Sequence, residues 1–158
     1  MKSEDSSSSR TSAECVLAID YGERWMGLAL AEPGRTLVSG LPTIDRRSIR
    51  GGLAKAVARL VAEHGVERIV LGMPFSMDGT EGPAAAGVRA FEDELAVTVL
   101  VPVEEWDERL TSEAARRRLR ELGYSERDMQ GRIDQLSAVL MLEGYLQRRA
   151  AGATEPDV

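Results

Sequence analysis

The sequence predicts an α/β domain built on a mixed β-sheet flanked by helices, and three observations carry that prediction. Two apolar runs, 15–21 and 25–31, are separated by the turn-forming Gly22-Glu23-Arg24 and read as a hairpin. Apolar residues at Ile49, Leu53, Ala56, Val57, Leu60 and Val61 fall at helical spacing. Beyond them strand-like and helix-like segments alternate, which implies parallel additions to the sheet.

The first run, CVLAIDY, is a buried strand interrupted by one acid, Asp20. Residues 25–31 form the second strand. Glu32-Pro33-Gly34-Arg35 places proline and glycine as a type II turn requires. A third strand is expected near 37–41, completing an antiparallel meander. Ser48 is a candidate N-cap for the helix that Gly65 ends. A strand over 68–72, a helix over 83–95 and a strand over 98–103 follow. Three helical pieces finish the chain: 111–122 ending at Gly123, a short turn capped by Ser125 with Asp128 three residues on, and a helix over 133–150.

The 158 residues, 43% hydrophobic and 29% charged, suffice for one sizeable core. The domain is expected over 15–150, with polar 1–14 and 151–158 as disordered tails. Cys15 is the only cysteine, which excludes a disulfide framework or a thiolate zinc site within one chain. Neither a membrane-spanning run nor the apolar core of a secretory signal is present in the sequence, so a cytoplasmic protein is expected. The net charge of −6 runs against nucleic-acid binding. Its distribution softens the objection: of twenty basic residues only Lys2 and Lys55 are lysines, and arginines cluster at 46, 47, 50, 116–118 and 120. Guanidinium forks suit phosphate oxygens, although solvated helix faces explain such runs equally well.

Asp20 is the first candidate for chemistry. A carboxylate inside an apolar strand is costly unless a metal, a cation or backbone donors compensate it; the plainer alternative is that it caps the Gly22 turn. A second acidic cluster, Glu104, Glu105, Asp107 and Glu108, is expected just past the 98–103 strand, where parallel α/β folds place their sites. Alternation puts Glu105 and Asp107 on one face. An exposed acidic strand end paired with Arg109 would look the same. Asp134 opens the last helix on the face of Ala138 and Met141, aimed at Asp20 or simply favoured by the helix dipole. Three such acids supply the oxygen ligands that magnesium or manganese prefers, and two such ions catalyse in-line phosphoryl displacement.

Other chemistries are poorly supplied. The single histidine, His64, precedes a helix stop and fits a favourable charge at a helix end. Walker-type lysine after a glycine loop is absent. The loop 72–80 follows a strand and precedes a helix, where backbone amides can receive a phosphate, yet turn geometry alone accounts for its glycine and proline. Few aromatics are available for base stacking.

Taken in order, IDYGERWMGLALAEP, IVLGMPFSMDGTEGPAA, VEEWDERLTSEAA and IDQLSAVLMLEGYL resemble the YqgF family, also called RuvX, over residues 16–146. The resemblance implies a ribonuclease H-like fold akin to RuvC, with a five-stranded sheet in the order 3-2-1-4-5. It implies a carboxylate site for Mg2+ or Mn2+ on Asp20, Asp107 and Asp134, with Glu108 as a further candidate ligand. It points to Arg24, Gly72, Pro74, Gly79 and Arg109 as substrate contacts. The implied activity is cleavage of structured RNA, at the end of pre-16S rRNA, or of branched DNA such as Holliday junctions, by a chain that a junction substrate would require as a homodimer. Two departures from the family are Ser137, where an alanine is usual, and the serine-rich amino terminus. Two rivals remain: an ATP-binding domain of the actin and Hsp70 superfamily, disfavoured by length, and a non-catalytic nucleic-acid or ribosome-associated factor, disfavoured by three intact acids.

Overall fold

A computed structural model describes residues 14–35, 37–125 and 132–154. Strands β1 (Val16–Tyr21), β2 (Trp25–Ala31) and β3 (Ser39–Asp45) form the meander. Helix α1 (Leu53–His64), strand β4 (Arg68–Met73), helix α2 (Pro83–Thr98) and strand β5 (Val103–Asp107) follow. A 3-10 turn (Glu108–Leu110) and helices α3 (Ser112–Glu121) and α4 (Arg132–Thr154) complete the described chain. The sheet order is β3-β2-β1-β4-β5, with β1, β2 and β3 antiparallel and β4 and β5 added in parallel, as the family resemblance implies.

The two sheet faces differ in side-chain size, and that difference positions the site. Leu17, Ile19, Met26, Leu28, Ile69, Leu71 and Met73 fill one face against α1 and α2. The opposite face carries Ala18, Ala29, Ala31 and Val70 against Ala138, Met141 and Leu142 of α4. Small residues let a helix approach the strands closely. Each large side chain buried on the first face is worth about 1.5–3 kcal/mol, so that face anchors the fold.

Several boundaries differ from those expected. Strand β3 runs to Asp45 rather than ending at 41. Ser48 is not the α1 N-cap: its hydroxyl donates to the Asp45 carbonyl at 2.9 Å. Gly51 and Gly52 take φ of 93° and 100°, which a helix cannot contain, so α1 starts at Leu53 after an N-cap with no side-chain bond. Gly65 ends it in the left-handed conformation, as expected.

The largest correction concerns α2 and β5. The helix continues to Thr98, and the strand is Val103–Asp107, five residues beyond the expected start. The apolar run that suggested a strand at 98–103 includes Leu100, which is fully exposed. The true strand is an edge strand, where acids are tolerated and only Trp106 needs burial. Glu104, Glu105 and Asp107 therefore lie within β5, and Glu108 alone of the acidic cluster follows it.

Glu14, just before β1, is tied to Arg68 and Arg149, and α4 runs through 151–154. Residues 1–13 and 155–158, and all of the Ser125–Asp128 turn beyond Ser125, lie outside the described residues. No helix among the described residues is long and apolar enough to cross a membrane.

Candidate active site

Asp20 lies near the end of β1 on the α4 face and is 6% exposed. Its cross-strand partner on β2 is Gly27. On the other side the β1–β4 register pairs Ile19 with Leu71, which sets Gly72 level with Asp20. The acid thus stands between two strand positions that have no side chain. A Cβ at Gly27 would lie 1.9 Å from the Asp134 carbonyl oxygen, and one at Gly72 would lie 2.8 Å from Cγ of Glu108. The first turn of α4 occupies one gap and the Glu108 side chain the other. Glycine inside a strand marks such close approaches.

Glu108 reaches its gap because the backbone turns at the end of β5. Asp107 caps the 3-10 turn, accepting the Arg109 backbone amide at 3.0 Å, and Glu108 is the first residue of that turn. Asp107 itself is in register with Met73, whose side chain is in the core on the α1/α2 face. By strand alternation its carboxylate leaves the sheet on the side opposite Asp20. There it accepts from Arg109 at 2.6 Å from Nη2 and 3.0 Å from Nε. The structure therefore brings Asp20, Glu108 and Asp134 together and holds Asp107 on Arg109.

The electrostatics follow this geometry. Burial, and next the Glu108 charge, push Asp20 well above the usual carboxylate range, while a hydrogen bond from the buried Ser137 pulls the other way. Burial also raises Glu108, with Asp134 and Asp107 adding repulsion and its hydrogen bond to Asp20 opposing. Asp134 rises to about 7 through burial and the Asp20 charge, offset in part by Arg116. Asp107 goes the other way: the Arg109 guanidinium holds it below its ordinary value. Three acids thus destabilise one another's charged forms at one spot. Among the described residues no group of three or more His, Cys, Asp or Glu side chains is gathered closely enough to hold an ion unaided.

The candidate substrate contacts form the rim. Arg24, on the β1–β2 turn, pairs with Asp45 at 3.1 Å and covers the Trp25 ring. The same turn borders the site, since a Cβ on Gly22 would lie 3.4 Å from Oδ1 of Asp134. Arg109 stacks on Phe75 and reaches the Ser76 carbonyl at 3.5 Å, bracing the loop that contains Pro74 and Gly79. The amides of Ser76, Gly79 and Thr80 are bonded within that loop, so they do not form an open phosphate cradle. Arg46 is not a free phosphate ligand either: it bonds the carbonyls of Gly22 and Glu23 and the Tyr21 hydroxyl. His64 accepts from Cys15 through its carbonyl at the start of β1, the end remote from Asp20.

The sequence alone favours Asp107 over Glu108, marks Ser137 only as a departure from the family's alanine, and does not single out Gly27 or Gln135. The available signal was a pair of glycines inside apolar strands at the level of the buried acid.

A profile of the RuvX family, described as Holliday junction resolvase, matches residues 14–148. A protein of Chloroflexus aggregans with the provisional name pre-16S rRNA nuclease is 41% identical over 136 residues, covering 86% of this chain and 95% of its own. One of Moorella thermoacetica with the same provisional name is 43% identical over 133 residues, covering 84% and 94%. The structure of RuvC from T. thermophilus in complex with a Holliday junction superposes with a TM-score of 0.52 at 16% identity, covering 87% of this chain and 97% of that one. That likeness shows a shared fold; the profile and the relatives show that this chain belongs to the RuvX family of Holliday junction resolvases.

Proposed function

We propose that the chain is a metal-dependent nuclease whose catalytic carboxylates are Asp20, Glu108 and Asp134. The observation that carries this reading is Asp20 buried between two glycine gaps, one filled by Glu108 and the other by the turn that bears Asp134. A fold gains no stability from converging three acids without a cationic partner. A hard divalent cation, Mg2+ or Mn2+, is the charge that offsets them, and carboxylate oxygens are the donors it prefers. Asp20, Glu108 and Asp134 would supply carboxylate oxygens to such an ion, with water and phosphate oxygens completing its shell.

When bound, the cation supplies positive charge to the transferring phosphoryl group and eases deprotonation of the attacking water. The protein's part is placement. Asp20 is fixed by its strand and by Ser137, while Glu108 is fixed by the turn that Asp107 caps. In this reading Asp107 orients Arg109 rather than binding metal, leaving the outer face of the guanidinium and the braced loop to guide a phosphodiester. Arg116, Arg117 and Arg118, exposed on α3, supply local positive charge that the net charge of −6 conceals.

The family description and the relatives' names point to two substrates, branched DNA and precursor rRNA. Junction resolution needs paired symmetric cuts and hence a twofold dimer, whereas trimming an rRNA end does not. The test uses labelled four-way junctions and precursor 16S rRNA with wild type, Asp20→Asn, Glu108→Gln and Asp107→Asn, each in Mn2+, Mg2+ or chelator. We expect metal-dependent cleavage that falls about a hundred-fold or more in Asp20→Asn and Glu108→Gln, since the ion contributes several kcal/mol, and falls less in Asp107→Asn. Cleavage that survives chelation, or an Asp20→Asn variant as active as wild type, would overturn the assignment. Binding without cleavage would favour a non-catalytic factor.

A further inference from the structure

Asp134 depends on a helix start that must be held in place from outside. Its backbone carbonyl sits in the Gly27 gap, but a gap permits an approach without fixing it. The next residue supplies the fixing contact. Gln135 donates from Nε2 to the Leu41 carbonyl at 2.7 Å, across 94 positions of sequence. Its side chain lies over a third glycine: a Cβ on Gly40 would come within 2.9 Å of both Cγ and Cδ of Gln135. The β2–β3 ladder slips register between Met26 and Leu28, opposite the segment that joins Leu41 to Ile44. Such a bulge re-aims backbone groups beside a site. Gly27, Gly40, the bulge and the Gln135 amide thus form one seat for the first turn of α4.

We propose that Gln135 is a positioning residue whose amide, seated over Gly40 and bonded to Leu41, aims the Asp134 carboxylate at Asp20. The inference rests on the metal-dependent reading of that site. With its amide committed to the Leu41 carbonyl, Gln135 acts through Asp134, as partners of ligating groups commonly do.

The test uses the full chain and Mn2+ as the probe. Thermal unfolding is followed as a function of Mn2+ for wild type, Gln135→Met, Gly40→Ala and Val57→Ala. Gln135→Met keeps the length and loses the amide; Gly40→Ala keeps the amide and displaces it. Val57→Ala is a control that destabilises the opposite face of the sheet, where Val57 is fully buried. We expect Gln135→Met to melt only about 2–4 °C below wild type without metal. Its Mn2+ midpoint should rise about ten-fold or more, Gly40→Ala should shift in the same direction, and Val57→Ala should keep the wild-type midpoint. A Gln135→Met midpoint within about two-fold of wild type overturns the inference, as does a shift of equal size in Val57→Ala. If Gln135→Met does not fold, Gly40→Ala decides by the same criterion. A wild type that does not respond to Mn2+ fails the metal reading itself and takes this inference with it, and that failure is recognisable because it appears without any substitution.

Discussion

At the scale of single residues, the site is defined as much by missing side chains as by those present. Gly72 has extended-strand neighbours and no unusual φ, so its value is the space it leaves for Glu108. A methyl group there would meet Cγ of Glu108 at 2.8 Å, a side chain able to swing away, and Sδ of Met141 at 3.2 Å. Gly72→Ala is therefore expected to fold and to lose about ten- to a hundred-fold in cleavage, as partners of ligating groups do. Circular dichroism and an initial-rate assay check the two halves of that statement, and full activity would show that Glu108 need not cross β4. Asp20 was legible in the sequence because an acid inside an apolar run needs a reason. Glu108 was legible only as a further candidate beside Asp107, because adjacent acids can be told apart only by the backbone turn between them.

At the scale of elements, the ends of the domain are joined by charge. Glu14, just before β1, accepts from Arg68 of β4 at 3.1 Å and from Arg149 of α4 at 2.7 Å. The two guanidiniums hold the Glu14 carboxyl at about 2, below its ordinary value of 4.5. A depressed carboxyl stabilises the fold above its unfolded pKa, and that contribution is lost as pH falls from about 4.5 toward 2. Glu14→Gln should lower the melting temperature at pH 7 by about 2–4 °C and flatten the acid limb of the stability curve. An unchanged acid limb would show that the network contributes nothing. Helix α1, strand β4 and the meander were readable from periodicity and turn residues. Strand β5 was not, because an edge strand with one buried residue lacks both alternation and an apolar run.

At the scale of the molecule, the acids gathered from β1, the β5 end and α4 set a cost that the whole fold bears. Asp134 has a folded pKa of about 7, against about 4 for an ordinary aspartate. Between those values the folded chain holds a proton that the unfolded chain does not, so stability falls as pH rises through the window. The raised Asp20 and Glu108 act in the same direction. Metal-free protein should thus melt higher at pH 5 than at pH 8. For Asp134 the difference is on the order of 1–2 kcal/mol, reduced because the carboxylate keeps some solvent. Asp134→Asn should flatten the trend, and Mn2+ should restore stability at pH 8 by binding only the folded state. Calorimetry at the two pH values decides the matter: higher stability at pH 8 without metal would contradict the convergence of the three acids.

The sequence by itself determined the fold class, the meander followed by helix and strand additions, the candidacy of Asp20 and Asp134, and the family resemblance. Those features are local: hydrophobic periodicity, turn chemistry and ordered motifs are written in neighbouring residues. Only the tertiary structure decided that Glu108 rather than Asp107 faces Asp20, that Arg46 braces a hairpin, and that glycines on β2, β3 and β4 seat α4 and Glu108. These outcomes depend on strand register and on which face each element buries, and a one-residue change in either moves a side chain to the other side of the sheet.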